Sequence, residues 1–181
     1  MKIPRKSKES NEPIIFGRPN SGAVRMPYKE IHHHSLAIIR NIFEETPDKY
    51  LLYFDERWQC RLFLNWKSKE NQEEDLENIK KQLSAELQID AEAIQGQLWF
   101  EQVHEKYSVS ADKNKWYHHS FYEVQISEFP DWVKQPDFEV NGKHFYWMSI
   151  AEMEADPRIM EVNADIIGMV KEQRGDIYHG K

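Results

Sequence analysis

Apolar-rich runs over 36–43, 50–54 and 59–66 are separated by polar segments, the first of them holding the turn-forming Glu45-Thr46-Pro47-Asp48. Short runs of β-branched and aromatic residues bounded by such breaks predict three strands. The period then changes. Leu76, Ile79, Leu83 and Leu87 recur at spacings of three and four, which predicts a helix over 73–87 with one apolar face. Two further strands are predicted over 97–105 and 117–126, joined by a hydrophilic loop over 108–115 long enough to act as a lid. A last strand over 144–148 runs into Ser149-Ile150-Ala151-Glu152, the reciprocal capping pattern of a helix start. Asp156-Pro157 offers a second start, and 164–173 reads as a closing helix stopped at Gly175. Strands, one helix, more strands and then helices imply an α/β fold with helices on the faces of a mixed sheet.

The first 30 residues break every periodicity. Gly17, Pro19, Gly22 and Pro27 interrupt them, and Lys2, Arg5, Lys6 and Lys8 crowd the start. This reads as a flexible basic arm over 1–30, ahead of a single domain over 31–181 whose ordered part begins near Ser35. The 181 residues fit one domain, and 40% hydrophobic with 13% aromatic residues suffice for a core. A net charge of −7 argues against nucleic acid or an acidic membrane as partner. No stretch approaches the about 20 apolar residues of a membrane span, and no signal core opens the chain, so the cytoplasm is the expected location. Cys60 is the only cysteine, so no internal disulfide forms, and a buried strand thiol is expected. In His32-His33-His34 neighbouring side chains alternate faces on a strand, so at most two reach one ion, and a strand entrance is the simpler reading.

The predicted helix carries a resemblance. Lys67, Glu73 and the run Lys81-Gln82-Leu83-Ser84-Ala85-Glu86-Leu87-Gln88-Ile89 fall into a recognisable spacing. It is similar to the loop-helix-loop box of Nudix hydrolases: glycine, five residues, glutamate, seven residues, then R-E-U-x-E-E-x-G-U with U aliphatic. Leu83 and Ile89 take both aliphatic positions, Glu86 the last acidic one and Glu73 the upstream glutamate. Gln82 and Ala85 replace two carboxylates, Lys81 replaces the arginine, and Lys67 and Gln88 replace both glycines. The later run Phe145-Tyr146-Trp147-Met148-Ser149-Ile150-Ala151-Glu152-Met153 resembles the family's late strand and short helix. The resemblance covers about residues 34–173 and implies a Nudix-type α/β/α sandwich with a mixed β-sheet.

It also implies chemistry. In the family the box carboxylates hold Mg²⁺ or Mn²⁺ against a diphosphate, because hard dications take charged oxygen ligands. Here Glu86 is the one metal ligand left on that flank, and Glu73 and Glu86 are the catalytic remnants. Metal binding is therefore expected to be weak or absent, and a nucleotide-like small molecule is expected as ligand, bound rather than cleaved. Trp116-Tyr117-His118-His119 is the best-placed run for ligand contact, with Lys81 and Gln82 from the helix. The strand-rich start over 51–63 is similar to the Nudix-like domains associated with cyclic-nucleotide synthases (SMODS) in bacterial anti-phage systems, which implies a sensor role. Two other readings stand beside this one. A pyrophosphohydrolase with relocated ligands would use Glu73 and Glu86 with Glu101 or Glu105, and His118 or His119 as general base. An interaction module would use exposed aromatics as a partner or homodimer surface.

Overall fold

The computed structural model describes residues 14–16, 24–26, 31–43 and 48–178. Most of the arm predicted over 1–30 lies outside them. Its two described pieces, β1 (Ile14–Phe16) and β2 (Val24–Met26), pair antiparallel. The predicted turn at Glu45–Asp48 is described only at Asp48.

Seven strands form one mixed sheet: β3 (Ile31–Ile39), β4 (Lys49–Asp55), β5 (Cys60–Lys67), β6 (Ile94–Ser108), β7 (Lys113–Ile126), β8 (Asp137–Val140) and β9 (Lys143–Ser149). Their order is β6-β7-β3-β5-β4-β9-β8, with β3 and β7 parallel and every other pair antiparallel. Three helices complete the domain: α1 (Gln72–Leu87), α2 (Ile150–Ala155) and α3 (Pro157–Tyr178). Strands β3, β4, β5, β7 and β9 contribute residues to two cores, as the two-residue period requires. Ala37, Leu51, Leu64, Tyr122, Phe145 and Trp147 meet Ile79, Leu83 and Leu87 of α1 on one face. Leu36, Leu52, Phe63 and Phe121 meet Met153, Ile159, Ile166 and Val170 of α2 and α3 on the other. The result is the α/β/α sandwich that the resemblance implies.

Local chemistry explains the boundaries. The side chain of Asn71 accepts the Glu74 N–H at 2.9 Å and starts α1, and Gln88 ends it in the left-handed region at φ 52°, ψ 47°. The Ser149 hydroxyl accepts the Glu152 N–H while Glu152 returns a bond to the Ser149 N–H, so both halves of the predicted capping box form. Asp156 accepts the N–H groups of Arg158 and Ile159 at the start of α3. Gly96 lets α1 approach β6, since a Cβ there would lie 2.8 Å from the Leu76 Cδ1 atom.

Four expectations differ from the structure, each for a physical reason. β3 starts at Ile31 rather than near Ser35, because its parallel ladder with β7 runs from Ile31↔Trp116 to Ile39↔Val124 and takes in the three polar histidines. The loop predicted over 108–115 is mostly strand: β6 and β7 pair as far as Ser108↔Lys113, leaving a tight turn that Asp112 closes at φ 49°. The closing helix passes Gly175 and ends at Tyr178, and its break falls at Asn163 (φ −134°, ψ 17°), just before the start expected at Ala164. Finally, β8 had no counterpart in the predicted elements. It forms a hairpin with β9 through Asn141 and Gly142, both at positive φ, as a two-residue turn joining right-twisted strands requires.

No helix among the described residues is long and apolar enough to cross a membrane.

Candidate functional site on the box helix

At about 100° per residue, positions 75, 82 and 86 of α1 fall within about 40° of one another, along one flank of its buried face. Asp75, Gln82 and Glu86 therefore share that flank, and their environments differ. Asp75 is 5% exposed. Its Oδ2 accepts the Ser35 hydroxyl at 2.8 Å and the Tyr122 hydroxyl at 3.1 Å, and its Oδ1 accepts the Lys69 backbone N–H. The Ser35 hydroxyl also meets that of Ser68 at 2.7 Å, tying β3 to the segment that enters the helix. Burial, and after it the Asp75 carboxylate, pushes the Tyr122 phenol up from its ordinary pKa.

Three turns on, Glu86 is engaged by Lys143 of β9, whose Nζ donates to Oε2 at 3.0 Å. The same ammonium lies 4.2 Å from the centre of the Tyr53 ring, so it is held from two sides. The Tyr53 hydroxyl donates to Asp55 at 2.8 Å, and burial followed by that bond raises its pKa. Gln82 is half-buried between the two carboxylates, and Ala85 is exposed.

Magnesium or manganese does not fit this flank. A hard dication needs several charged oxygens. Glu86 is already neutralised by Lys143, Asp75 has both oxygens committed to internal donors, Gln82 is uncharged and Ala85 offers no ligand. Among the described residues no group of three or more His, Cys, Asp and Glu side chains is set around a common metal position. Glu73 and Lys81 sit elsewhere. Both are exposed, and each is about 140° around the helix from Glu86. Glu73 instead lines an open surface groove of about 530 Å³ with Lys69, Asn71, Glu74 and Glu77. The two glutamates that the resemblance pairs are about 20 Å apart along the helix axis, at 1.5 Å per residue.

The run Trp116–His119 is divided by the pleat. Trp116 and His118 share the α1 face with Ile31 and His33, while Tyr117 and His119 share the α3 face with His32 and His34. On the α1 face the His118 Nδ1 lies 2.9 Å from the His33 Nδ1, and the His118 Nε2 lies 3.3 Å from the Glu101 carboxylate. Ser120 donates to the same Glu101 oxygen. Burial, followed by the neighbouring His118, lowers the His33 pKa. On the α3 face His119 lies between His104 and His34, with ring centres 5.0 and 5.9 Å away, and burial lowers its pKa to about 3. His104 Nε2 and Lys106 Nζ both reach Asp165 of α3, at 3.1 and 3.2 Å. Burial pushes the Asp165 carboxyl up, but these two bonds outweigh it and hold it below the ordinary range.

Asp75 and Lys143 are the site residues that sequence reasoning missed, and it named His33, His118 and Glu101 without bringing them together. Each acquires its meaning from a partner on a distant segment. Only Lys143 had a local signal, its position directly after the hairpin-forming Asn141-Gly142.

No protein-family model matches the chain, and no curated protein matches it significantly in sequence. Solved structures do match. The chain is similar to the Ap4A hydrolase of C. elegans, with a TM-score of 0.51 at 12% identity over 81% of this chain and 98% of that one. It is similar also to the NUDIX domain of Shewanella oneidensis NrtR complexed with ADP ribose, with a TM-score of 0.52 at 13% identity over 81% and 90%. The chain has the Nudix fold.

Proposed function

We propose that this chain is a Nudix-fold binding module that takes a nucleoside-diphosphate-type ligand as a sensor or regulatory element and does not hydrolyse it. The observation that carries the reading is the Lys143–Glu86 pair. The last box carboxylate on the helix flank is neutralised from within the protein, beside an amide at Gln82 and a methyl group at Ala85. A flank of this kind lacks the anionic oxygens that would hold a dication against a diphosphate. Support for a nucleotide-type ligand comes from the shared fold, which in the Shewanella domain accompanies bound ADP ribose. Of the run first singled out for ligand contact, Trp116 and His118 lie on the α1 face with the box helix, and Trp116 offers a ring for base stacking.

The test is a melting-temperature series with ADP ribose, diadenosine tetraphosphate and cyclic oligonucleotides. The cyclic compounds belong in it because of the resemblance to domains that accompany cyclic-nucleotide synthases. Each compound is measured in EDTA and in Mg²⁺, with chromatography of the incubated ligand. A rise of several degrees in EDTA with the ligand intact is the expected result. Mg²⁺-dependent products that vanish in Glu86→Gln would overturn the reading. An unresponsive melting temperature together with a dimer in sedimentation would replace it with an interaction surface, for which Tyr107 and Val109, 53% and 84% exposed at the β6–β7 tip, are the first residues to test.

One observation favours a hydrolase as the second reading. The His118 Nε2 lies 3.3 Å from the Glu101 carboxylate, a neighbour able to orient a general base. Turnover lost in His118→Gln but kept in His119→Gln is the outcome that reading requires.

A further inference from the structure

We infer that His33 and His118 hold a late first-row divalent cation between their Nδ1 atoms on the α1 face of the sheet, with Glu101 as the outer carboxylate that orients His118. The parallel register of β3 and β7 sets the two histidines directly opposite each other. Their Nδ1 atoms are 2.9 Å apart, their ring centres 5.0 Å apart, and the rings are nearly perpendicular at 89°. Two imidazole nitrogens each about 2.0–2.1 Å from one ion lie about 2.9 Å apart when they subtend a right angle. That is the relation of neighbouring ligands in square-planar or octahedral coordination.

The tautomer agrees. The Glu101 carboxylate 3.3 Å from the His118 Nε2 favours the proton on that nitrogen, which leaves the lone pair of the neutral ring on Nδ1, facing His33. A carboxylate on the far nitrogen is the usual companion of a metal-bound histidine, since it fixes the ring and raises its basicity. Ser120 holds that carboxylate in turn, donating to the oxygen that meets His118. Neutral imidazoles select nickel, copper or zinc over magnesium. Among the described residues no third His, Cys, Asp or Glu joins the pair, so the remaining coordination positions fall to water or to an oxygen of a bound ligand. This inference does not rest on the nucleotide reading, because the ion can be measured with no nucleotide present.

The competing account is a shared proton, His33 donating from Nδ1 to His118, and titration of the whole chain with Ni²⁺ and Zn²⁺ in a calorimeter decides between them. A single equivalent per chain is expected, with binding lost in His33→Ala and in His118→Ala. Glu101→Gln, which keeps both nitrogens, should weaken it about tenfold. His119→Ala, on the opposite face, and His144→Ala, on β9, should leave it unchanged. Cu²⁺ bound to the unaltered chain should show electron-spin coupling to two nitrogens, a signal that should vanish in His33→Ala. No binding by the unaltered chain overturns the inference, as does binding that survives in His118→Ala or disappears in His119→Ala. Melting curves of each metal-free variant accompany the titration. Should His118→Ala not fold, Glu101→Gln and the nitrogen count carry the decision.

Discussion

Two carboxylates on one flank of α1 have opposite fates. Asp75, in the first turn, is sealed under β3 and β7 and accepts three hydrogen bonds from inside the protein. Glu86, in the last turn, is partly open to solvent and meets a single cation, Lys143. The two lie close to one line along the helix, so the difference comes from what each end of α1 rests on. Asp75 connects the helix to the sheet; Glu86 lies half-buried on the flank it shares with Gln82 and Lys143. An acidic residue on the box helix is therefore no measure of metal-binding capacity until its partners are known.

The sharpest way to break this comparison is Asp75→Ala. It strands the Tyr122 hydroxyl and the Lys69 N–H and removes one partner of Ser35. Bonds to a charged acceptor contribute about 1.5–3 kcal/mol each, so a loss of about 4 kcal/mol is expected in urea denaturation. A loss below about 1 kcal/mol would mean that Asp75 is not the tie described here. Next in size is a pH effect from the other side of the sheet. His119 is neutral when folded, with a pKa of about 3 against 6.5 when unfolded, and it faces His104 and His34 with Asp165 and Lys106 beside them. The unfolded chain therefore binds the extra proton between those two values, and stability falls as pH drops below 6.5. One proton corresponds to about 1.4 kcal/mol per pH unit, or about 2 kcal/mol between pH 6.5 and 5. His33 and His34, also lowered by burial, act in the same direction. His119→Phe should flatten the slope, and an unchanged slope would assign it to the other histidines.

The end of α1 offers a smaller effect of opposite sign. Gln88 holds a left-handed conformation that costs a residue with a Cβ about 1–2 kcal/mol, at the position where the resembling box has glycine. Gln88→Gly should raise stability by about 1 kcal/mol, since it also gives up an exposed bond to Asn141. This contrast shows where sequence was sufficient. Helix α1, predicted over 73–87 and found at Gln72–Leu87, was legible because its period, polar start and end are local. So was the capping box of Ser149 and Glu152. The division of Trp116–His119 between two faces follows from strand alternation alone. What could not be read is non-local. The parallel register that joins His33 to His118 and the 57-residue separation between Glu86 and Lys143 depend on how strands assemble, which no local period encodes. Hairpin β8–β9 lies between these cases, because Asn141-Gly142 is a local turn signal that the reading by elements passed over.

The smallest expected effect on stability bears most directly on function. Lys143 and Glu86 have side chains 32% and 21% exposed, and a pair this open to water contributes about 0.5 kcal/mol, so Glu86→Gln should scarcely change the denaturation midpoint. Lys143→Met should cost little more, because its stem keeps the packing against Tyr53. The ion response should change instead. With the ammonium gone, Glu86 becomes an unpaired carboxylate beside Gln82, and Gln82→Glu on that background supplies a second one a single turn away. Mg²⁺ at millimolar concentration should then raise the melting temperature of Lys143→Met/Gln82→Glu while leaving the unaltered chain where it was. If Mg²⁺ stabilises both chains equally, Lys143 is not what closes the flank to metal, and the hydrolase reading gains what the binding reading loses. If only the double variant responds, the Lys143 ammonium stands where this flank would otherwise take a cation.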